Sequence, residues 1–302
     1  MSTAASASAL RPRRTSVVIV AADSGPGLAD CVGDVLACQG ELEVLVWDNA
    51  SRDGSLELLQ SRHGADARLR VLRHSANLGF GAGANRAAAQ AQGDAIFLLN
   101  PDCRLAPDAL VRLRAIAAAW PGLGLLGPRI VDADGRVETA TRRRDPTLRR
   151  ALATLLGRSA QGVALPPRSA QSPSEEPVDA VSGAAMWLPH EAYATLTGFD
   201  EGYFLHCEDL DLCRRVRDAG RSVVYTDAVE IVHAKGGSSR HRPVFVAWHK
   251  HRGMWRWFRA HDPAARHPLL AAIVWLGLWS HFAATLPLRT WLGWAARRRR
   301  RA

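Results

Sequence analysis

The sequence predicts an α/β protein, with a mostly parallel central sheet flanked by helices. Two observations carry the prediction. Residues 16–119 alternate short apolar, β-branched runs with amphipathic stretches four times over, the strand-then-helix order of a parallel sheet. At 302 residues, 47% hydrophobic and 23% charged, the chain has enough apolar material to bury a proper core. A third observation locates the working end: polar or Gly-rich segments follow the apolar runs, at the carboxyl strand ends where such sheets bind ligands.

Taken in order, the first strand is SVVIVAA (16–22) with a helix over 27–38, and the second is LEVLVWDN (42–49) with a helix over 54–61. The third is RLRVLRH (68–74) with a helix over 81–92, and the fourth is DAIFLLN (94–100) with a helix over 107–119. Residues 157–177, GRSAQGVALPPRSAQSPSEEP, lack periodicity and are rich in Pro, Ser and Gln, so they predict a mobile loop. Order resumes at VDAVSGAAMWLP (178–189). It continues through FLHCEDLDLCRR (204–215), in a helix predicted over Glu208–Ala219, then a strand RSVVYTD (221–227) and a strand ending at His233. The lead-in MSTAASASALRPRR (1–14) is small and polar, with its basic residues at the wrong end for a signal peptide, and predicts disorder.

The net charge of +10 belongs to one end of the chain. Beyond residue 240 stand twelve Lys or Arg against the single acid Asp262, while the first 240 residues carry 27 Lys/Arg against 28 Asp/Glu. A fold this neutral argues against a nucleic-acid partner. Five cysteines (Cys31, Cys38, Cys103, Cys207, Cys213) form an odd set without metal-ligand spacing, which fits a reducing cytoplasm.

Several acids sit where chemistry is expected. Asp48 and Asp53 lie in DNASRDGS after the second strand, where Asp48 can grip a base or ribose and where Asx–Gly turn chemistry is the plainer reading. NLGFGAGANRA opens a helix after the third strand. It makes a poor dinucleotide fingerprint because it follows the wrong strand, and Asn77 suits a bond to a sugar or to the loop itself. In FLLNPDC an apolar strand ends directly in Asn100, Pro101 and Asp102, so Asp102 can hold a hard divalent cation or cap a helix. In the helix from Glu208, Leu212, Cys213 and Val216 form the apolar stripe and Asp209 continues it, as a general base on a cleft floor would. Glu208 and Asp211 fall on the wetter side, where they complement the helix dipole and Asp211 pairs with Arg215. His233 precedes Gly236, Gly237, Ser238, Ser239 and Arg240, a set suited to phosphate oxygens.

Together DNASRDGS, NLGFGAGANRA, LLNPD, VSGAAMWLPHEAY, GFDEGYFLHCEDLDLCRRVRDAG and VHAKGGSSR resemble, in that order, the family 2 glycosyltransferases, especially their bacterial rhamnosyltransferase-like branch. The resemblance covers residues 15–240. It implies a GT-A fold that binds a nucleotide sugar through Mg2+ or Mn2+. It implies Asp209 as catalytic base, Asp102 and His233 at the metal and diphosphate, and Asp23, Asp48, Asn77, Gly79, Asn100, Glu208 and Arg240 around the nucleotide sugar. The implied reaction is inverting, with L-rhamnose from dTDP-L-rhamnose as the expected donor and a lipid-linked or cell-surface glycan as acceptor. UDP-galactofuranose or a UDP-hexose is the alternative donor, and an inactive nucleotide- or glycan-binding module the alternative role. One departure stands out: where the family usually has Asn-Tyr-Asn after the first strand, this chain has Ala21, Ala22 and Asp23, without the ring expected near the base.

Residues 241–302 form a basic segment holding seven of the ten tryptophans, a pairing suited to the headgroup zone of an anionic membrane. Leu269–Leu288 carries no formal charge and is long enough to span a bilayer. A single crossing would put Arg297–Arg301 opposite the catalytic domain, against the positive-inside tendency. The expectation is therefore a helix in the interface or a re-entrant hairpin, on the cytoplasmic face of a bacterial inner membrane.

Overall fold

The computed structural model describes residues 13–158, 161–165, 168, 174–234 and 242–301, with side chains in the last helix as far as Trp291. The first four strands are β1 (Thr15–Ala21), β2 (Leu42–Asn49), β3 (Leu69–His74) and β4 (Ala95–Leu99). They alternate with α1 (Gly27–Leu36), α2 (Ser55–His63) and α3 (Phe80–Ala88), as the periodicity predicts. β1, β2 and β4 are buried along their whole length, which is why they read as continuous rather than alternating apolar runs. Their side chains still divide by face. Val17, Ile19 and Phe97 join Leu28 and Leu59 in one core, while Val18, Val20 and Leu98 join Ala84, Leu212 and Val216 in the other.

The remaining elements are β5 (Cys103–Leu105), α4 (Ala109–Ala119), β6 (Leu123–Val131), β7 (Arg142–Arg143), α5 (Leu148–Leu155), β8 (Glu175–Pro177), β9 (Ala180–Val181), β10 (Ala185–Pro189), α6 (His190–Thr195), α7 (Glu208–Asp218), β11 (Ser222–His233), α8 (Pro243–His261) and α9 (Pro268–Arg301). Among the described residues the main sheet runs β3-β2-β1-β4-β10-β6-β11-β5, with β8 also on β11. The sheet is mixed: parallel from β3 to β4 and between β6 and β11, antiparallel where β10 inserts between β4 and β6. β7 and β9 make a separate two-stranded sheet.

Three differences from the sequence expectation have physical causes. β6 escapes the pattern because Gly124, Gly127 and Pro128 interrupt its apolar run. Pro128 pairs with Thr226 where β11 shifts register, a bulge that spares the missing N–H. The same shift lets the two strands expected over 221–233 form one, β11. The last residues of the expected loop, Glu175–Pro177, pair with β11 instead of remaining irregular.

The basic C-terminal segment divides in two. α8 is built into the domain: Trp257 is buried in the second core, Arg256 forks onto Asp200 at 2.9 Å, and His261 reaches Asp211 at 2.8 Å. α9 packs on α8 through Trp248 and Trp279, whose ring centroids lie 4.7 Å apart, and through a 3.0 Å contact between the His251 and His281 rings. It is one uninterrupted helix past Pro287, so the re-entrant hairpin does not form. Its stretch Pro268–Trp291 is long and apolar enough to cross a membrane, and Leu269, Ile273, Leu276, Leu288 and Trp291 are exposed.

Candidate functional site

The loops after β1, β2 and β3 converge through their own polar side chains. Asp48, at the end of β2, is buried, and its Oδ1 accepts from the Ser51 N–H at 2.9 Å. Ser51 Oγ in turn accepts from the Asp23 N–H at 3.0 Å, and Asp23 Oδ1 accepts from the Arg52 N–H at 2.8 Å. Arg242, just ahead of α8, comes within 3.8 Å of Asp23. Asp48 and Asp23 thus share one loop cluster, and turn chemistry accounts for part of their bonding.

Asn77 is exposed and its Oδ1 accepts from the Gly79 N–H at 2.9 Å, so it bonds to its own loop. Gly79 has φ +90°, and a Cβ there would fall 2.5 Å from the Phe204 carbonyl, which the neighbouring Phe80 N–H uses as its acceptor. Asn49, which the sequence did not single out, ties the loops together. It accepts from Trp47 Nε1 and the Leu78 N–H and donates to the Gly79 carbonyl.

The end of β4 holds a second cluster. Among the described residues, the ligand atoms of Asp102, Cys103 and His233 all lie within 4.8 Å of one another. Cys103 is wholly buried, and burial holds its thiol protonated, so it faces the core rather than a hard cation. That leaves Asp102 Oδ1 and His233 Nε2, 3.2 Å apart, with the Asn100 amide 3.3 Å from the same ring nitrogen. His233 Nδ1 lies 3.0 Å from Glu138 Oε1, the carboxylate–imidazole pairing that orients a metal-bound histidine. One carboxylate and one oriented imidazole fit a divalent ion that keeps its other positions for phosphate oxygens and water. Burial alone would lower the His233 pKa, but Asp102 and Glu138 outweigh it and raise it to about 9.

Across from this cluster, α7 begins after two residues with positive φ, His206 and Cys207. Asp209 Oδ2 accepts from Arg143 Nη2 at 2.5 Å and from the Gly183 N–H at 3.1 Å, and its Oδ1 accepts from the Leu210 N–H at 2.8 Å. Gly183 sits close to it: a Cβ there would come within 3.1 Å of the Asp209 Cβ, a tight contact that would press on the carboxylate's side chain. Burial pushes the Asp209 carboxyl up, but Arg143 and the backbone donors overcome it and hold it below the usual carboxylate range. Glu208 goes the other way: it is buried, its Oε2 has no partner among the described residues, and burial together with Asp209 raises it.

The expectation that Glu208 and Asp211 face water is overturned. Asp211 is only 2% exposed because α8 covers it, with Arg215 Nε 2.7 Å and His261 Nε2 2.8 Å from its carboxylate. The expected Asp211–Arg215 pair does form. Arg240 and the Gly–Ser segment before it lie outside the described residues.

One dipeptide joins the two clusters. The Gly183 N–H points to Asp209, while the Ala184 carbonyl accepts from the Asn100 N–H at 2.9 Å, beside Asp102. Sequence reasoning missed Arg143 and Glu138. The arginine run 142–144 was a usable signal for the first, and a lone Glu in an aperiodic stretch gave none for the second.

Comparison with known proteins gives the family and the fold. Residues 16–164 match the family described as Glycosyl transferase family 2. The chain is 33% identical over 267 residues to the N-acetylglucosaminyl-diphospho-decaprenol L-rhamnosyltransferase of Mycobacterium tuberculosis, covering 80% of this chain and 86% of that one. A shorter match, 38% over 60 residues, joins 20% of this chain to 23% of rhamnosyltransferase WbbL of Escherichia coli. Among solved structures, GalNAc-T7 with UDP, GalNAc and Mn2+ superposes with a TM-score of 0.62 at 16% identity, covering 84% of this chain, which spans about half (51%) of its length. The mannosyltransferase PcManGT of Pyrobaculum calidifontis, in complex with GDP-Man and Mn2+, superposes with a TM-score of 0.59 at 19% identity over 96% of this chain and 76% of its own. The fold is accordingly GT-A.

Proposed function

This chain belongs to glycosyl transferase family 2, and on that premise we propose that it moves L-rhamnose from dTDP-L-rhamnose to a polyprenyl-diphosphate-linked glycan, with inversion. That it is a glycosyltransferase of the rhamnosyltransferase-like kind follows from the family and from its mycobacterial relative. The choice of sugar and acceptor is supported by the same 33% identity, since that relative's name specifies both.

The observation that carries the reading is the Gly183–Ala184 bridge between Asp209 and the Asn100–Asp102 turn, which supports a base working opposite a cation site. The acceptor hydroxyl gives its proton to Asp209 as its oxygen attacks the anomeric carbon and the bond to the nucleoside diphosphate breaks. Asp102 and His233 would hold Mg2+ or Mn2+, which when bound offsets the charge of the departing diphosphate. Asp48 and Asp23 line the nucleoside side, with Asn77, Gly79, Asn100, Glu208 and Arg240 completing the contacts to the nucleotide sugar. The Mn2+ held by both GT-A neighbours supports the metal.

α9 rests, in this reading, on the anionic cytoplasmic face of a bacterial inner membrane, where a lipid-linked acceptor would be reached. Its exposed Leu269, Ile273, Leu276 and Trp291, and the arginines that follow, support that location.

The test is a donor screen followed by mass spectrometry, with Mn2+ and a membrane extract as the source of acceptor, on wild type and Asp209→Asn. The expected result is rhamnose transfer from dTDP-L-rhamnose, reduced about 10²-fold or more in the folded variant. Preferential use of a UDP-sugar would overturn the donor, and undiminished transfer by the variant would overturn the base.

A further inference from the structure

Arg143 belongs to β7, which pairs with β9, so its Cα lies opposite Ala180 and away from the acidic helix in sequence. Its Nη2 nevertheless makes two contacts at once, to the Val181 carbonyl at 2.9 Å and to Asp209 Oδ2 at 2.5 Å. Both side chains are largely shielded, 18% and 15% exposed. A carboxylate at such a place, deprived of its cation, takes up a proton and can no longer accept one.

The bonding of Asp209 can be counted. A carboxylate offers about four lone-pair sites, two on each oxygen. Arg143 and Gly183 occupy those on Oδ2, and the Leu210 N–H occupies one on Oδ1. Among the described residues that leaves one acceptor site, on Oδ1. The other charged or titratable groups near this carboxylate are Glu208, His206 and the thiols of Cys207 and Cys213, with Lys250 of α8 beyond His206 and Cys207. Among the described residues, Arg143 is the cation that touches it.

We propose that Arg143 is the positioning residue of the reaction, holding Asp209 Oδ2 so that Oδ1 faces the acceptor hydroxyl as a base. The inference rests on the reading of Asp209 as base and adds to it the reason a buried carboxylate can serve. The direction of the shift agrees: Asp209 is held low, while Glu208, more deeply buried and without a cation in contact among the described residues, is raised. Adjacent carboxyls driven apart in this way divide into a base and a neutral neighbour.

The experiment is the pH dependence of kcat/KM for transfer in wild type, Arg143→Met, Arg143→Gln, Arg143→Lys and Asp209→Asn, with folding checked by circular dichroism and KM followed for the donor. Removing the charge is expected to move the acid limb up by about 1 to 3 pH units. It should cut kcat at neutral pH, with recovery as the pH rises and little change in donor KM. The Lys variant is expected to keep the limb near its wild-type position. If the Met variant does not fold, Gln against Lys makes the same comparison. An unmoved acid limb in the uncharged variants, or a uniform loss at every pH, would overturn the role of Arg143. Undiminished transfer by Asp209→Asn would instead overturn the base itself, so the two failures are distinct.

Discussion

Several side chains of the loops after β2 and β3 bond next door, alongside the links that Asn49 and Asp23 make between loops, whereas the acids around β4, α7 and β11 find their partners farther along the chain. Asp48 bonds to Ser51, Asp53 to Ser55 and Asn77 to Gly79, all within three residues. Asp209 finds Arg143 66 residues away, Asp211 finds His261 50 away, and His233 finds Glu138 95 away. A local turn orders few residues and forms with little loop closure, but a distant pair exists only once the intervening chain has folded. Damage to the second kind should therefore reach stability and chemistry together, and damage to the first should stay where it is made.

The largest effect is expected at Asp211. Asp211→Ala leaves Arg215 and His261 without their carboxylate, and should lower stability by about 3 kcal/mol. Urea unfolding would register this as a lower midpoint with an unchanged slope. A cost no greater than that of an exposed ion pair would break the contrast between the two regions.

The next effect concerns metal affinity. Glu138→Gln is expected to weaken Mn2+ binding about 10- to 100-fold by titration calorimetry, because Glu138 orients the His233 ring. The same site sets a pH dependence. His233 is raised to about 9 without metal, so a proton must leave before its Nε2 can bind. Mn2+ affinity in the wild type should rise by about tenfold per pH unit below that value. The stabilisation that protonation gives the metal-free protein runs the opposite way: it is present in full below about pH 6.5 and lost as the pH rises through about 9. Affinity that stays flat from pH 6.5 to 9 would show that His233 exchanges no proton for the ion.

The smallest effect is expected at Asn77→Ala, which removes one exposed hydrogen bond to Gly79 and should cost about 1 kcal/mol or less. A loss as large as that at Asp211 would mean that the loop is coupled to the rest of the fold.

The same division explains what the sequence made legible. The four strand–helix units show because each carries its own period, and α7 is predicted to within one residue because its first-turn acids and apolar stripe are local. Asp48, Asp102, Asp209 and His233 could be named from their places at strand ends and on a helix face. β7 and β9, two residues each, have no period to read. Arg143 and Glu138 matter through partners that no short window contains. Asp211 was misjudged because the surface that buries it belongs to α8.

The Gly183–Ala184 link carries a further consequence. It leads directly into β10, whose register against β4 runs from Ala185 opposite Leu99 to Pro189 opposite Ala95. A ladder register moves only in whole-residue steps, and a single step exchanges the faces of every side chain on the strand. The distance between Asp209 and the Asp102–His233 cluster is thus gauged by a strand, which tolerates no gradual drift. Variation of that spacing should be sparse at 182–189 and freer at positions such as Asn77, whose bond closes within two residues.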